Sequence, residues 1–134
     1  MNFGLTEETY QKSLKNYKKA LIKLEEALKE QESEIVIDGV LHRFEFTFEL
    51  AWKTMKDVLE YQGVITKLGS PREIIQIAFK QNLIDDGEVW IEIMLSRNSL
   101  AHIYDEITSR RIYNDIREKY IKQFNDLREK LENI

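Results

Sequence analysis

The segment Arg97-Asn98-Ser99-Leu100-Ala101-His102-Ile103-Tyr104-Asp105-Glu106 holds more chemistry than any other ten residues of the chain. One of only two histidines follows an arginine by five residues and precedes a tyrosine by two. A fixed cation, an imidazole able to change charge near neutral pH, a phenol and two carboxylates stand together there. If Arg97 and His102 meet on a phosphodiester, they can cleave RNA without a metal. Arginine would stabilise charge growing on phosphorus, and histidine would take the 2′-hydroxyl proton or protonate the leaving oxygen. Asn98, four residues before His102, can orient the ring or a phosphate oxygen; Tyr104 can bond a phosphate, stack a base or be modified. At about 100° per residue, Arg97 and His102 point about 140° apart on a straight helix. Either the helix ends near Ala101 and lets His102 turn back, or a second copy supplies half of the site. The plain structural alternative is that these side chains bond Asp105, Glu106 and helix-terminal carbonyls, and spacing alone favours it.

His42, Glu45 and Glu49 share a helical stripe and suggest a carboxylate metal site. Bundle di-metal sites need Glu-x-x-His on two helices with further glutamates opposite, and the order here is reversed and occurs once. Glu49 reads instead as a helical partner of Lys53. The residues call for no metal and no cofactor.

The elements that must position the segment are helical. One proline and five glycines in 134 residues, with 43% hydrophobic and 33% charged side chains, suit long helices in a single domain spanning 1–134. The formal charge of −4 offers no global positive field, so contact with nucleic acid has to be local. The absence of cysteine excludes a disulfide framework, a zinc knuckle and a thiol nucleophile. No apolar run is long enough to span a bilayer and no signal-like apolar segment opens the chain, which reads as a cytoplasmic protein without membrane contact.

Tyr10, Leu14, Tyr17, Leu21, Leu24 and Leu28 place one amphipathic helix over Thr6 to about Gln31. Its lysine-rich opposite face reads as solvated surface. Ile35-Val36-Ile37 reads as a connection or the lead-in to a second helix, from Asp38 to about Gln62. That helix is apolar on more than one side, as befits a central element or one sharing a surface with another chain, and Gly63 closes it. Ser70-Pro71-Arg72-Glu73 starts a short helix with a capping box, ending near Gln81. Asp85 and Glu88 stand at capping-box spacing for the helix that leads into Arg97. A last helix comes after Glu106, with Ile112, Tyr113, Ile116, Tyr120, Phe124, Leu127 and Leu131 as its stripe. The expected fold is all-α, an antiparallel up-and-down bundle of four to five helices.

Three segments in order, Arg43-Phe44-Glu45-Phe46-Thr47-Phe48-Glu49-Leu50-Ala51-Trp52-Lys53, Ser70-Pro71-Arg72-Glu73 and Arg97-Asn98 through His102-Ile103-Tyr104-Asp105-Glu106, carry a resemblance over almost the whole chain. The sequence resembles the nucleotidyltransferase substrate-binding proteins of the HEPN superfamily, close to HepT toxins. The resemblance implies a HEPN-like helical homodimer whose partner is a separate minimal nucleotidyltransferase. In toxin members the R-x4-H-x-Y motif is a metal-independent RNase site, which falls here on Arg97, His102 and Tyr104. The partner acts as antitoxin and can add AMP to the motif tyrosine, here Tyr104.

The expected function is therefore one half of a toxin–antitoxin pair that cleaves RNA. The alternative is a non-catalytic subunit that binds substrate or nucleotide for a two-protein nucleotidyltransferase. Arg72, Arg110 and Arg111 would add a local basic patch if the fold carried them to Arg97.

Overall fold

A computed structural model describes residues 7–65, 69–102 and 105–134. Its elements are α1 (Glu7–Leu28), α2 (Glu34–Tyr61), α3 (Pro71–Lys80), α4 (Gly87–Leu100), α5 (Glu106–Asp115), a π-helical segment (Ile116–Tyr120) and α6 (Ile121–Glu132). The last three run on without a break, so α5, the π segment and α6 form one long rod. The described residues contain helices and no strands, which is the all-α bundle expected.

α2 packs against α1, α3, α4 and α5, which explains why it is apolar on more than one side. Phe44, Phe48, Ala51, Met55, Val58 and Leu59 are fully buried along it. Aromatic side chains tie its middle to the neighbouring helices. Phe44 lies 5.8 Å from Tyr120 and 6.1 Å from Phe124, and Trp90 of α4 meets the Phe124 ring edge-on at 5.4 Å. The Tyr17 hydroxyl of α1 donates to the Phe124 carbonyl oxygen at 2.6 Å, and burial pushes that phenol well above its ordinary pKa.

Two helix starts and one internal segment differ from the sequence reading. α2 begins at Glu34 rather than Asp38, because the Ser33 hydroxyl accepts the Val36 N–H at 3.1 Å and caps the helix four residues earlier. Ile35, Val36 and Ile37 are thus the first turn of α2, with Ile37 in the core and Ile35 83% exposed. At α4 the cap is Asp86, whose carboxylate accepts from Val89 N–H at 3.1 Å, while Asp85 pairs with Lys130 of α6. The third difference is the π segment inside what reads as one regular helix.

Gly63 does close α2: it sits at φ 75°, its N–H reaches the Glu60 oxygen at 3.0 Å and Val64 N–H reaches Leu59 at 2.9 Å. Asn82 plays the same part after α3 at φ 61°. The Ser70 cap of α3 is present as read, with its hydroxyl 3.2 Å from both the Glu73 N–H and the Glu73 carboxylate.

Candidate functional site

α4 is fixed on its buried side by Trp90, Ile93, Met94 and Ser96. Ser96 matters most for the site, because it is the residue before Arg97. Its hydroxyl lies 2.8 Å from the Tyr120 hydroxyl, which is 2.8 Å from the Glu92 carboxylate; Lys119 meets the same carboxylate oxygen at 2.8 Å. The Lys119 and Tyr120 hydrogen bonds hold the Glu92 carboxyl below the usual glutamate range, and burial raises the Tyr120 phenol. These contacts pin the middle of α4 to the π segment. Arg97 then leaves the pinned helix in its last turn, where the negative end of the helix dipole favours a cation.

The Arg97 side chain is 36% exposed and its Nη2 stands 3.4 Å from Glu49 Oε2 of α2. Its Nε is buried and has no hydrogen-bond partner among the described residues. Glu49 Oε1 faces Lys53 at 3.4 Å, the helical pair read from the sequence. The contact of Glu49 with Arg97 spans 48 residues, and no local pattern announces it.

α4 ends at Leu100, with Ala101 as its cap and the His102 N–H bonded to the Ser99 carbonyl oxygen at 3.0 Å. Of the two sequence alternatives for joining Arg97 and His102, the helix end near Ala101 is present. His102 is exposed, and among the described residues its side chain has no hydrogen bond or ion pair, to Arg97 or to any other group. Asn98 is exposed on the last turn of α4. Tyr104 lies outside the described residues. Asp105 caps α5, accepting the Thr108 N–H at 2.6 Å, which holds its carboxyl below the usual aspartate range.

Two of the three arginines that could form a local basic patch are paired with acids. Arg110 is held by Glu32 at 2.7 Å and by Glu106 at 3.8 Å, and Arg111 by Asp115 at 3.4 Å. Arg72 is exposed on α3. His42 is exposed on α2, and among the described residues no three His, Asp or Glu side chains gather in a way that could hold a metal ion. No described helix is long and apolar enough to cross a membrane.

Comparison with known proteins places this geometry in a family. A solved structure from Thermus thermophilus superposes with a TM-score of 0.79 at 25% identity, covering 86% of this chain and 98% of the other. A Haemophilus influenzae structure, described as revealing the fold of a substrate binding domain of a nucleotidyltransferase, superposes with a TM-score of 0.69 at 22% identity. That match covers 93% of this chain and 98% of the other and speaks for the fold. A Haemophilus influenzae protein named "Probable ribonuclease HepT" is 31% identical over 84 residues, which is 60% of this chain and 58% of that relative. Residues 12–133 match the family described as nucleotidyltransferase substrate binding protein like. Since that match runs through α2, the Arg97 turn and the final rod, the chain belongs to the nucleotidyltransferase substrate binding protein-like family.

Proposed function

We propose that this protein is a HepT-like toxin, the partner of a minimal nucleotidyltransferase, and that it cleaves RNA without a metal through Arg97 and His102. The observation that carries the reading is the end of α4. Among the described residues, a partly exposed guanidinium held by a single 3.4 Å ion pair is followed, just past the last helical turn, by an exposed imidazole without a hydrogen-bond partner. The relative named as a ribonuclease agrees with it.

The chemistry needs only those groups and the RNA itself. His102 takes the proton of a 2′-hydroxyl, whose oxygen attacks the adjacent phosphorus. The bond to the 5′-oxygen breaks, that oxygen is protonated, and a 2′,3′-cyclic phosphate remains. Arg97 offsets the negative charge that builds on the phosphoryl oxygens in between. With one His102 acting as base, the leaving oxygen needs a separate acid, and a homodimer brings the second imidazole that serves in that part. Asn98, exposed on the same turn, holds a phosphate oxygen or the ring. Tyr104 is the contact and modification site. Transfer of AMP to its phenol would place negative charge and bulk where an RNA phosphate must bind, which silences the nuclease.

The test is toxicity in cells and RNA cleavage by purified protein for Arg97→Ala and His102→Ala. Each is expected to lose ~100-fold or more of the cleavage rate and to relieve toxicity, since each removes a group used only as charge or protons move. Cleavage and toxicity equal to the parent in both variants would overturn the reading.

One observation favours the second reading, a binding subunit of a two-protein nucleotidyltransferase. Arg110 and Arg111 are engaged by acids, which reduces the positive charge that these two can offer a long RNA. On that reading the protein co-purifies with the enzyme, lacks nuclease activity when alone, and uses Arg97 to hold one nucleotide phosphate.

A further inference from the structure

Arg97 does not face solvent alone. The guanidinium carries five donors, and Glu49 takes one of them, at Nη2, through Oε2. The Nε–H is buried and unpaired among the described residues, so the stem of the side chain is enclosed and only the terminal nitrogens can reach a ligand. A carboxylate that paired with Arg97 in full would place its second oxygen on another guanidinium N–H. Here that second oxygen, Oε1, is turned to Lys53 at 3.4 Å. One carboxylate thus sits between two cations that differ in rigidity. Arg97 issues from a helix pinned at the preceding residue, Ser96, and Lys53 is a flexible side chain 51% exposed.

We infer that Glu49 is the positioning residue of the Arg97 site, holding the guanidinium by one terminal nitrogen so that its remaining Nη–H groups are aimed at the scissile phosphate. This rests on the nuclease reading. Three features fit such a role better than that of a surface ion pair. Glu49 is 33% exposed and lies on α2, the most enclosed helix of the bundle, so the carboxylate is carried on a rigid element. The pair joins α2 to α4, and α4 carries no other described ion pair to α2. The contact is single rather than bidentate, so Glu49 occupies one terminal donor where a bidentate pair would occupy two, and more Nη–H groups are left for an anion. An anion arriving at Arg97 also meets the negative charge of Glu49, so the same residue that improves aim weakens capture. Aim and capture are separable in kinetics.

The experiment compares wild type, Glu49→Gln, Glu49→Ala and Lys53→Ala in cleavage of a single-stranded RNA oligomer with excess chelator. Beside it, the Arg97 Nε–H resonance is followed in 15N-labelled protein for its exchange with water. Glu49→Ala is expected to lower kcat ~10-fold, because a misaimed guanidinium stabilises the transition state less. KM is expected to fall slightly, since a negative charge leaves the site. Glu49→Gln keeps an acceptor and is expected to restore most of kcat, which a role in charge alone would not allow. Lys53→Ala leaves kcat near wild type. The Nε–H of wild type should exchange slowly, and that of Glu49→Ala at least several-fold faster.

An unchanged kcat in Glu49→Ala with an active wild type overturns the inference and leaves the nuclease reading standing. A lowered kcat in both Glu49→Ala and Glu49→Gln, with unchanged exchange, also overturns it and makes Glu49 a proton-transfer or charge residue. If wild type itself does not cleave, the nuclease reading fails, and the exchange measurement still decides: equal Nε–H rates in wild type and Glu49→Ala sink the positioning role.

Discussion

Around Arg97 the residues do unequal work, and the difference comes from what each touches. Ser96 and Tyr120 are buried and share a hydrogen bond, so they fix the turn from which Arg97 emerges; Glu92 and Lys119 extend that network to the surface. The Glu92 carboxyl is held low by its bond to Lys119 and then by Tyr120. A group whose folded-state pKa is depressed contributes stability at pH values above its unfolded pKa, and that contribution disappears as pH falls through the folded value. The protein should therefore lose stability in acid, below the ordinary glutamate range, and Glu92→Gln should have a shallower acid limb than wild type. Urea midpoints measured from pH 6 downward check this, and parallel limbs would contradict it. The side chain is 45% exposed, so the difference is expected to be modest and to shrink in salt.

At this scale the sequence told part of the site. Arg97, Asn98 and His102 could be singled out because residue types and spacing are local properties, and the end of α4 near Ala101 comes out of the same window. Glu49 could be read only as a partner of Lys53, four residues on, because its second partner is brought up by the packing of α2 on α4. The same limit applies to Arg110 and Arg111. Whether a surface arginine is free depends on which acids the fold sets beside it, and Glu32 lies far away in sequence from Arg110.

Among the elements, the final rod shows a sequence pattern with an unread meaning. Its buried stripe Ile112, Ile116, Tyr120, Phe124, Leu127, Leu131 advances by four, four, four, three and four. In a regular α-helix each step of four overshoots a full turn by about 40°, so three in succession would carry Phe124 well off the face of Ile112. The π segment from Ile116 to Tyr120 takes up one extra residue per turn and keeps the stripe in line. Removing one exposed residue there, Glu118, leaves steps of four, three, four, three and four, the spacing of an uninterrupted helix. The deletion is expected to fold and to stay helical, at a cost of about 1 kcal/mol from the disturbed Tyr120 hydrogen bonds. Deleting exposed Lys19 from α1, where the buried positions already keep helical period, rotates the residues on one side by about 100° and should unfold the protein. Circular dichroism and thermal melts of the two deletions decide it; a folded Lys19 deletion beside an unfolded Glu118 deletion would contradict this account. The shifted starts of α2 and α4 are milder cases. Ser33 and Asp86 each had a competitor for the cap within a few residues, and only the backbone geometry selects between them.

For the whole molecule, the all-α bundle was legible because six residues in the first helix repeat with helical period, seven in the last recur every three or four residues apart from the adjacent Ile112 and Tyr113, and every one but Leu28 is buried. The central place of α2 could be read from its two apolar sides. The fold by itself assigns no function, since bundles of this kind hold many unrelated sites, and the proposed function rests on one helix end. What the molecule as a whole contributes is electrostatic. A net charge of −4, with Arg110, Arg111 and Arg117 paired to acids, gives weak non-specific attraction for polyanions. On the proposed nuclease reading an RNA substrate would be selected by local contacts at Arg97 and its neighbours, and capture should depend on salt with the shallow slope of a few phosphate contacts.

The central claim is metal-independent cleavage that uses His102, and the most direct measurement is the end chemistry of the products. Purified, unmodified protein is incubated with a mixed single-stranded RNA and with a transfer RNA pool in excess chelator, beside His102→Ala, and fragment ends are identified by mass. The account predicts fragments ending in 2′,3′-cyclic phosphate and 5′-hydroxyl from the parent and none above background from the variant. Absence of cleavage by the parent, or equal fragments from both proteins, would contradict it.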